Sequence, residues 1–512
     1  MYINDAGRIR GKSVEKHRRQ LRTGHLIDQS QCQTQEESLM RTMFPSLLAA
    51  LGLAIAVSGP GPCDAATLKT LVNFKGANGN QPVRSLVGDG NGNLFGTTFK
   101  GGANDLGTVF EIVKTFSGYA TTPTTLVSFN GANGANPAAE LMIDANGNLF
   151  GTTGGGGANN NGTVFEIAKT ANGYAATPTT LVSFNVTNGS SPQAGVTADG
   201  NGNLFGTTSA GGASNNGTVF EIANTANGYA TTPTTLVSFN GADGSFPQAR
   251  LIIDANGNLF GTTTTGLISN NGGVLEVKKT AGGYASAPTI LAAFTGVPDG
   301  ANPTAGVIAD AAGNLFGTTL NGGAGGEGSV FELIKNGISY ASTPTILVSF
   351  NLDDGANPQA GLIIDSQGNL FGTTDFGGPT PPRRGNLFEI VKMANGYANT
   401  PTVVYNFCSQ PNCTDGATSF AGLIADAQGR LFGTTSAGGT SNDGTVFQVT
   451  GSGFVPAFVL GGTPGTRNCY GDSVLALLQQ HHNLDDAARA LDLDNAGALV
   501  AAILHHCGPL VR

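Results

Sequence analysis

Seven copies of the segment LFGTT, beginning at Leu94, Leu149, Leu204, Leu259, Leu315, Leu370 and Leu431, constrain this chain more than any other feature. A period of about 55 residues implies stacked copies of one small unit, because a unit that short cannot bury its apolar face alone. The unit is clearest between Pro137 and Phe184: PAAELMIDANGNLFGTT, a glycine-rich loop, GTVFEI, a variable turn and TPTTLVSF. Four strand-like runs stand out, Leu141–Asp144, Asn148–Thr153, Thr163–Ile167 and Thr180–Phe184, separated by Gly, Asn, Asp and Pro clusters. Asn146-Gly147 is a tight-hairpin signal. Four short antiparallel strands per unit, with no helix between units, predict an all-β, seven-bladed β-propeller of four-stranded blades over residues 67–460. The composition agrees, with 78 glycines for turns and 28 phenylalanines for strands.

A ring must close. The fourth run occurs once before the first unit, as Leu71–Phe74, and in weaker form after the last, as Phe454–Leu460. The early copy is expected to complete the last blade, joining N-terminal to C-terminal sequence. Pro456 then makes the final segment an edge strand or a linker.

The ends depart from the repeat. Residues 1–39 read as an over-extended start or a disordered basic segment. Residues 40–65 have the layout of a secretory signal: Arg41, an apolar run from Leu47 to Val57, then Gly, Pro and small residues. That run is shorter than the roughly 20 residues a membrane span needs, so no stable span is expected in the mature chain. Pro62 before Cys63 argues against lipid attachment. Cleavage near Ala65 would leave four cysteines, Cys408, Cys413, Cys469 and Cys507, which suits an oxidising compartment outside the cell or in the periplasm. The local pairing 408–413 and 469–507 is the favoured one of three. Residues 467–508 change to a helical period, with Ser473 as a cap before Val474, Leu477 and Leu478, and predict a small C-terminal α-helical module with a disulfide.

The recurring GNLFGTT, GTVFEI and TLVSFN blocks resemble the bacterial GloVer-type tandem repeat, a choice-of-anchor family, over residues 67 to about 450. The resemblance implies an exported array and no particular reaction. A final apolar helix followed by basic residues, the family's usual anchor, is not in this chain. More distantly, Asp144 to Leu149 is similar to the blade turn of sensor and streptogramin lyase-like propellers.

All six histidines lie outside the repeats, so chemistry within the ring would rest on carboxylates. His481, His482, His505 and His506 in the tail are read as solvated or capping groups before metal ligands. The turn acids Asp89, Asp144, Asp199, Asp254, Asp310, Asp365 and Asp426 recur in every unit, and Glu111, Glu166, Glu221, Glu276, Glu332 and Glu389 in all but the seventh. A residue needed by every blade is read structurally: Asp accepting from its own turn, Glu pairing with a neighbouring blade or hydroxyl. Ca²⁺ in the turns is the one cofactor weighed, and otherwise none is expected.

Function is therefore sought where the repeat breaks. The sixth unit replaces its glycine-rich loop with GGPTPPRRG, bringing in Arg383 and Arg384, and the next loop expands to FCSQPNCTDGATSF. Arg383, Arg384, Asp375 and Asp415 become the candidate binding residues, braced by Cys408–Cys413. The fourth unit also departs, at Thr264 to Gly273. The leading expectation is a non-enzymatic exported binding or scaffold protein for a glycan or a cell-surface protein. A carboxylate-based polysaccharide lyase or hydrolase is the alternative, drawing on Asp353, Asp354, Asp375 and Glu327; a structural surface component is the third. Net charge of −9 disfavours nucleic acid.

Overall fold

In a computed structural model of the protein, which describes residues 65–456, the chain is a seven-bladed propeller. The signal expected at 40–65 and the helical module expected at 467–508, with Cys469, Cys507 and the four tail histidines, lie outside the described residues. Among the described residues only a short 3₁₀ turn, Pro411–Cys413, is helical. No described helix is long and apolar enough to cross a membrane.

Each blade is an antiparallel sheet in simple chain order. In the second, Met142–Ile143 is innermost, followed by Leu149–Thr153, Thr163–Ile167 and Thr179–Ser183 at the outer edge. The third strand pairs with the outer one through a bulge at Val164/Phe165, which lets Leu181 and Val182 both reach the core. Gly151 in LFGTT is required by packing: a Cβ there would meet the Phe165 ring at 2.6 Å and Leu141 at 2.9 Å. Between the third and outer strands, where the sequence suggests only a variable turn, lies a second small hairpin, Lys169–Thr170 with Gly173–Tyr174.

That hairpin joins blades. Tyr174 meets Phe95 of the preceding blade edge-on at 5.4 Å, and the contact repeats around the ring, ending with Tyr119 on Phe432 at 5.5 Å. Seven apolar clusters fill the inter-blade gaps, so both faces of each sheet are buried. Buried threonines add a polar seam. Thr97 donates to the Ala139 carbonyl of the next blade at 3.0 Å, and the equivalent bond closes the ring as Thr434 to Arg84, at 3.2 Å.

Closure follows the expected clasp. Thr67–Asn73 pairs antiparallel with Thr445–Thr450, placing an N-terminal strand outermost in the seventh blade. Of the two readings of the segment from Phe454, edge strand or linker, the described part, as far as Pro456, fits the linker. That stretch is extended but unpaired as a strand, and Phe454 packs on Phe371 at 5.2 Å, where the other units supply the hairpin tyrosine. The strap is tied to the sixth blade by the Ser366 N–H donating to the Val455 carbonyl at 2.9 Å.

Candidate functional site

The acids that recur are explained by the blades themselves. At Asp144, Oδ1 accepts the backbone N–H groups of Asn146 and Asn148 at 2.9 and 2.8 Å, and Oδ2 accepts Asn148 Nδ2 at 2.9 Å. Asn148 Oδ1 in turn accepts the Lys169 N–H, fastening the small hairpin to the turn. The seventh unit keeps the scheme with Arg430 in place of asparagine. Both oxygens of each turn acid are thus engaged by protein donors. Among the described residues no group of three or more His, Cys, Asp or Glu is arranged to hold a metal ion. Of the two expected partners of the strand glutamates, a hydroxyl and the neighbouring blade, the structure favours the second. They sit against the next blade, where Lys169 lowers and burial raises the pKa of Glu111, burial being the larger effect. Burial, with the Asp365 charge, pushes Glu389 up to about 7.

The upper face, where the loops after the second and outer strands emerge together, departs most from the repeat around the sixth unit, with smaller departures in the fourth-unit loops, including the cis Val297–Pro298 bond, and in the fifth unit's Gly322–Glu327 loop. There the two sequence irregularities do meet: the Thr418 N–H donates to the Arg384 carbonyl at 3.0 Å, and Ala356 bridges Phe376. Cys408 and Cys413 are disulfide-bonded across the expanded loop. Asp415 is placed beneath that loop, accepting from Tyr405 Oη, Ser409 N–H and Ser409 Oγ at 2.8–2.9 Å, so it braces the loop from below. Arg383 pairs with the exposed Asp353 of the neighbouring loop, whereas the Arg384 side chain is exposed. Asp354 accepts from Asn351 within its own loop. Glu327 is half-buried in the fifth unit's loop and is not among the residues lining the central cavity.

Asp375 is the unusual member of this group. Only 3% exposed, it takes one long bond, from Gln359 Nε2 at 3.3 Å, and its Oδ1 has no partner. Burial pushes its pKa up to about 7, opposed by Gln359 and the Arg384 charge. Among the described residues three buried side-chain atoms lack a hydrogen bond: Asp375 Oδ1, Arg383 Nε and Asn406 Oδ1. All three belong to the sixth unit. Unsatisfied buried polar groups are costly, and their confinement to one blade marks it as the place where local packing has been relaxed.

Gln359 also lines a second feature absent from the sequence-based expectations, a cavity of about 190 Å³ at the inner edges of the blades. Its charged residues are Arg84, Glu140 and Arg250. Aligning the seven units four residues before each turn aspartate would have exposed two of them: the series reads Ser85, Glu140, Gly195, Arg250, Gly306, Gly361 and Gly422. Arg84 stands one residue earlier, where every other unit has alanine.

A family model, the Gloeobacter/Verrucomicrobia repeat, matches residues 62–275 and 250–460, together covering the whole ring. The chain belongs to the Gloeobacter/Verrucomicrobia repeat family. A search of curated proteins finds no match. Among solved structures, a candidate 6-phosphogluconolactonase from Bacteroides uniformis aligns at 15% identity with a TM-score of 0.41, over 72% of this chain and 99% of its own. A candidate oxidoreductase (glucose dehydrogenase) from Thermus thermophilus aligns at 13% identity with a TM-score of 0.37, over 61% and 96%. Within this Gloeobacter/Verrucomicrobia repeat protein, the features that break its own repeat most are the upper end of the sixth blade and the three charged residues of the central cavity.

Proposed function

We propose that this protein is an exported, non-enzymatic binding propeller whose upper face, at the sixth and seventh units, takes a glycan. The carrying observation is the juxtaposition of Phe376, 43% exposed, with the exposed Arg384 and a disulfide-braced loop. An exposed aromatic ring offers the apolar face of a sugar a flat surface, a guanidinium beside it offers donors to hydroxyl or carboxylate oxygens, and the disulfide limits the ordering cost on binding. The Arg383–Asp353 pair holds the intervening loop. Export from a signal at 40–65, and a helical module at 467–508 as the docking or attachment element, belong to the same proposal and rest on sequence pattern alone. N-terminal sequencing of secreted protein tests the first.

The lyase or hydrolase reading has less support, because Asp353, Asp354 and Asp375 have separate duties in this loop region and the central cavity presents a single carboxylate, Glu140. Phe376→Ala with Arg384→Ala is expected to abolish retention on a glycan array while shifting the melting temperature by no more than about 1 °C, since both side chains are solvent-facing. Full retention by the double variant would move the binding surface elsewhere.

A further inference from the structure

The central cavity is built from the inner edges of several blades and uses none of the residues assigned to the loop patch. We propose that it is a second, independent ligand site, selective for a small hydroxylated carboxylate of the hexuronic acid class, with Arg84 and Arg250 binding the carboxylate and Glu140 accepting a ligand hydroxyl.

The arrangement begins with how the repeat is broken. A long side chain at the inner position is accompanied by glycine in the next blade. A Cβ at Gly195 would lie 2.4 Å from the Glu140 carbonyl oxygen, and one at Gly306 would lie 2.6 Å from that of Arg250. The glycines allow the neighbouring backbones to approach and leave the interior open, so Glu140 and Arg250 project charge into a space that four of the seven units leave unfilled. Such a pattern departs from the repeat where the repeat would suffice for packing.

The charges are only partly compensated, by the action of Glu140 on Arg84. Arg84 donates Nε–H to the Ala138 carbonyl at 2.6 Å, which fixes the side chain, while no described residue pairs with its terminal nitrogens. The side chains of Arg250 and Glu140 form no hydrogen bond or ion pair with any described residue. Burial lowers the proton affinity of Arg84, and the charge of Glu140 opposes that effect. Two guanidinium groups and one carboxylate, all half-buried, therefore line one half-open cavity in a protein whose net charge is −9. The two guanidinium groups outnumber the one carboxylate, and a bound anion complements the excess positive charge.

Size and chemistry narrow the ligand. At about 190 Å³ the cavity is below the roughly 300–1,000 Å³ of pockets for drug-sized molecules, which suits one monosaccharide. Gln248, Gln359 and Thr304 add amide and hydroxyl groups to the lining. Glu140 discriminates among anions: it repels a phosphate dianion, which carries twice the charge, and accepts a hydroxyl from a ligand that also carries a single carboxylate.

Calorimetric titration of the full chain with D-glucuronate, D-glucose, acetate and inorganic phosphate tests this. Glucuronate is expected to bind, with glucose and acetate each at least about tenfold weaker. Arg250→Gln, which breaks no hydrogen bond or ion pair with a described residue, is expected to weaken glucuronate at least about tenfold. Glu140→Gln is expected to raise phosphate affinity relative to glucuronate. No binding of glucuronate at about 10 mM, acetate or phosphate binding as tightly, or an unchanged affinity in Arg250→Gln would overturn the proposal. Phe376→Ala/Arg384→Ala serves as the separating control: it is expected to leave glucuronate affinity unchanged even where it abolishes glycan-array retention, so the two sites fail separately.

Discussion

Asp375 is an acid that the fold buries beneath the upper end of the sixth blade. It stood out in the sequence as an acid off the repeat beside Arg383 and Arg384, and the structure buries it with one oxygen unpartnered and its pKa pushed up to about 7. An ordinary aspartate has a pKa of 3.8, so between about pH 4 and pH 7 the folded protein holds a proton that the unfolded chain releases. Stability from this group therefore falls as pH rises through that window and is level above it. Glu389, also raised to about 7, adds a slope of the same sign. Asp375→Asn is expected to remove about half of the combined slope, raising the melting temperature at pH 8 by about 2–4 °C and leaving it unchanged at pH 4. A series of thermal melts between the two pH values checks this; an unaltered slope would mean that Asp375 is ionised in the folded state. Asp415 was equally visible as a loop acid, but its burial beneath Ser409 and Tyr405 depends on how the disulfide loop folds back, which spacing does not reveal.

At the scale of the element, strands and turns were legible because their chemistry is local. The run from Asp144 to Leu149 contains the acceptor, the positive-φ glycine at Gly147 and the asparagine that the hairpin needs, all within six positions. Asp144→Ala removes three hydrogen bonds from one turn and is expected to destabilise the protein by about 1–3 kcal/mol, whereas Asp144→Asn, which retains an acceptor, should cost less. Urea unfolding of the two variants measures the difference, and equal losses would indicate that the bonds to Oδ1 are unimportant. The small hairpin at Lys169–Tyr174 is not legible in the sequence because two residues per strand carry no periodicity. Its value lies in the Tyr174–Phe95 contact with another blade, a partner in a different unit of the sequence.

For the whole molecule the decisive element is the clasp. Thr67–Asn73 covers the edge of Thr445–Thr450 and contributes Leu71 and Val72 to the core, with Phe74 just beyond. Deleting residues 65–74 exposes that edge and the first blade's apolar face, so the expected result is aggregation on size-exclusion chromatography and loss of a single cooperative melt. A monomeric variant that melts as sharply as the parent would show that the seventh blade is stable with three strands. The number of blades and their four-strand composition follow from the sequence by itself, because repetition multiplies a weak local signal seven times; which terminal copy closes the ring was decided by the pairing of Thr67–Asn73 with Thr445–Thr450. Only the tertiary structure decided which charged residues converge. Arg84, Glu140 and Arg250 are separated by 56 and 110 positions and look like ordinary drift along the chain. They share a cavity because closing the ring directs the inner edge of every blade toward the same axis.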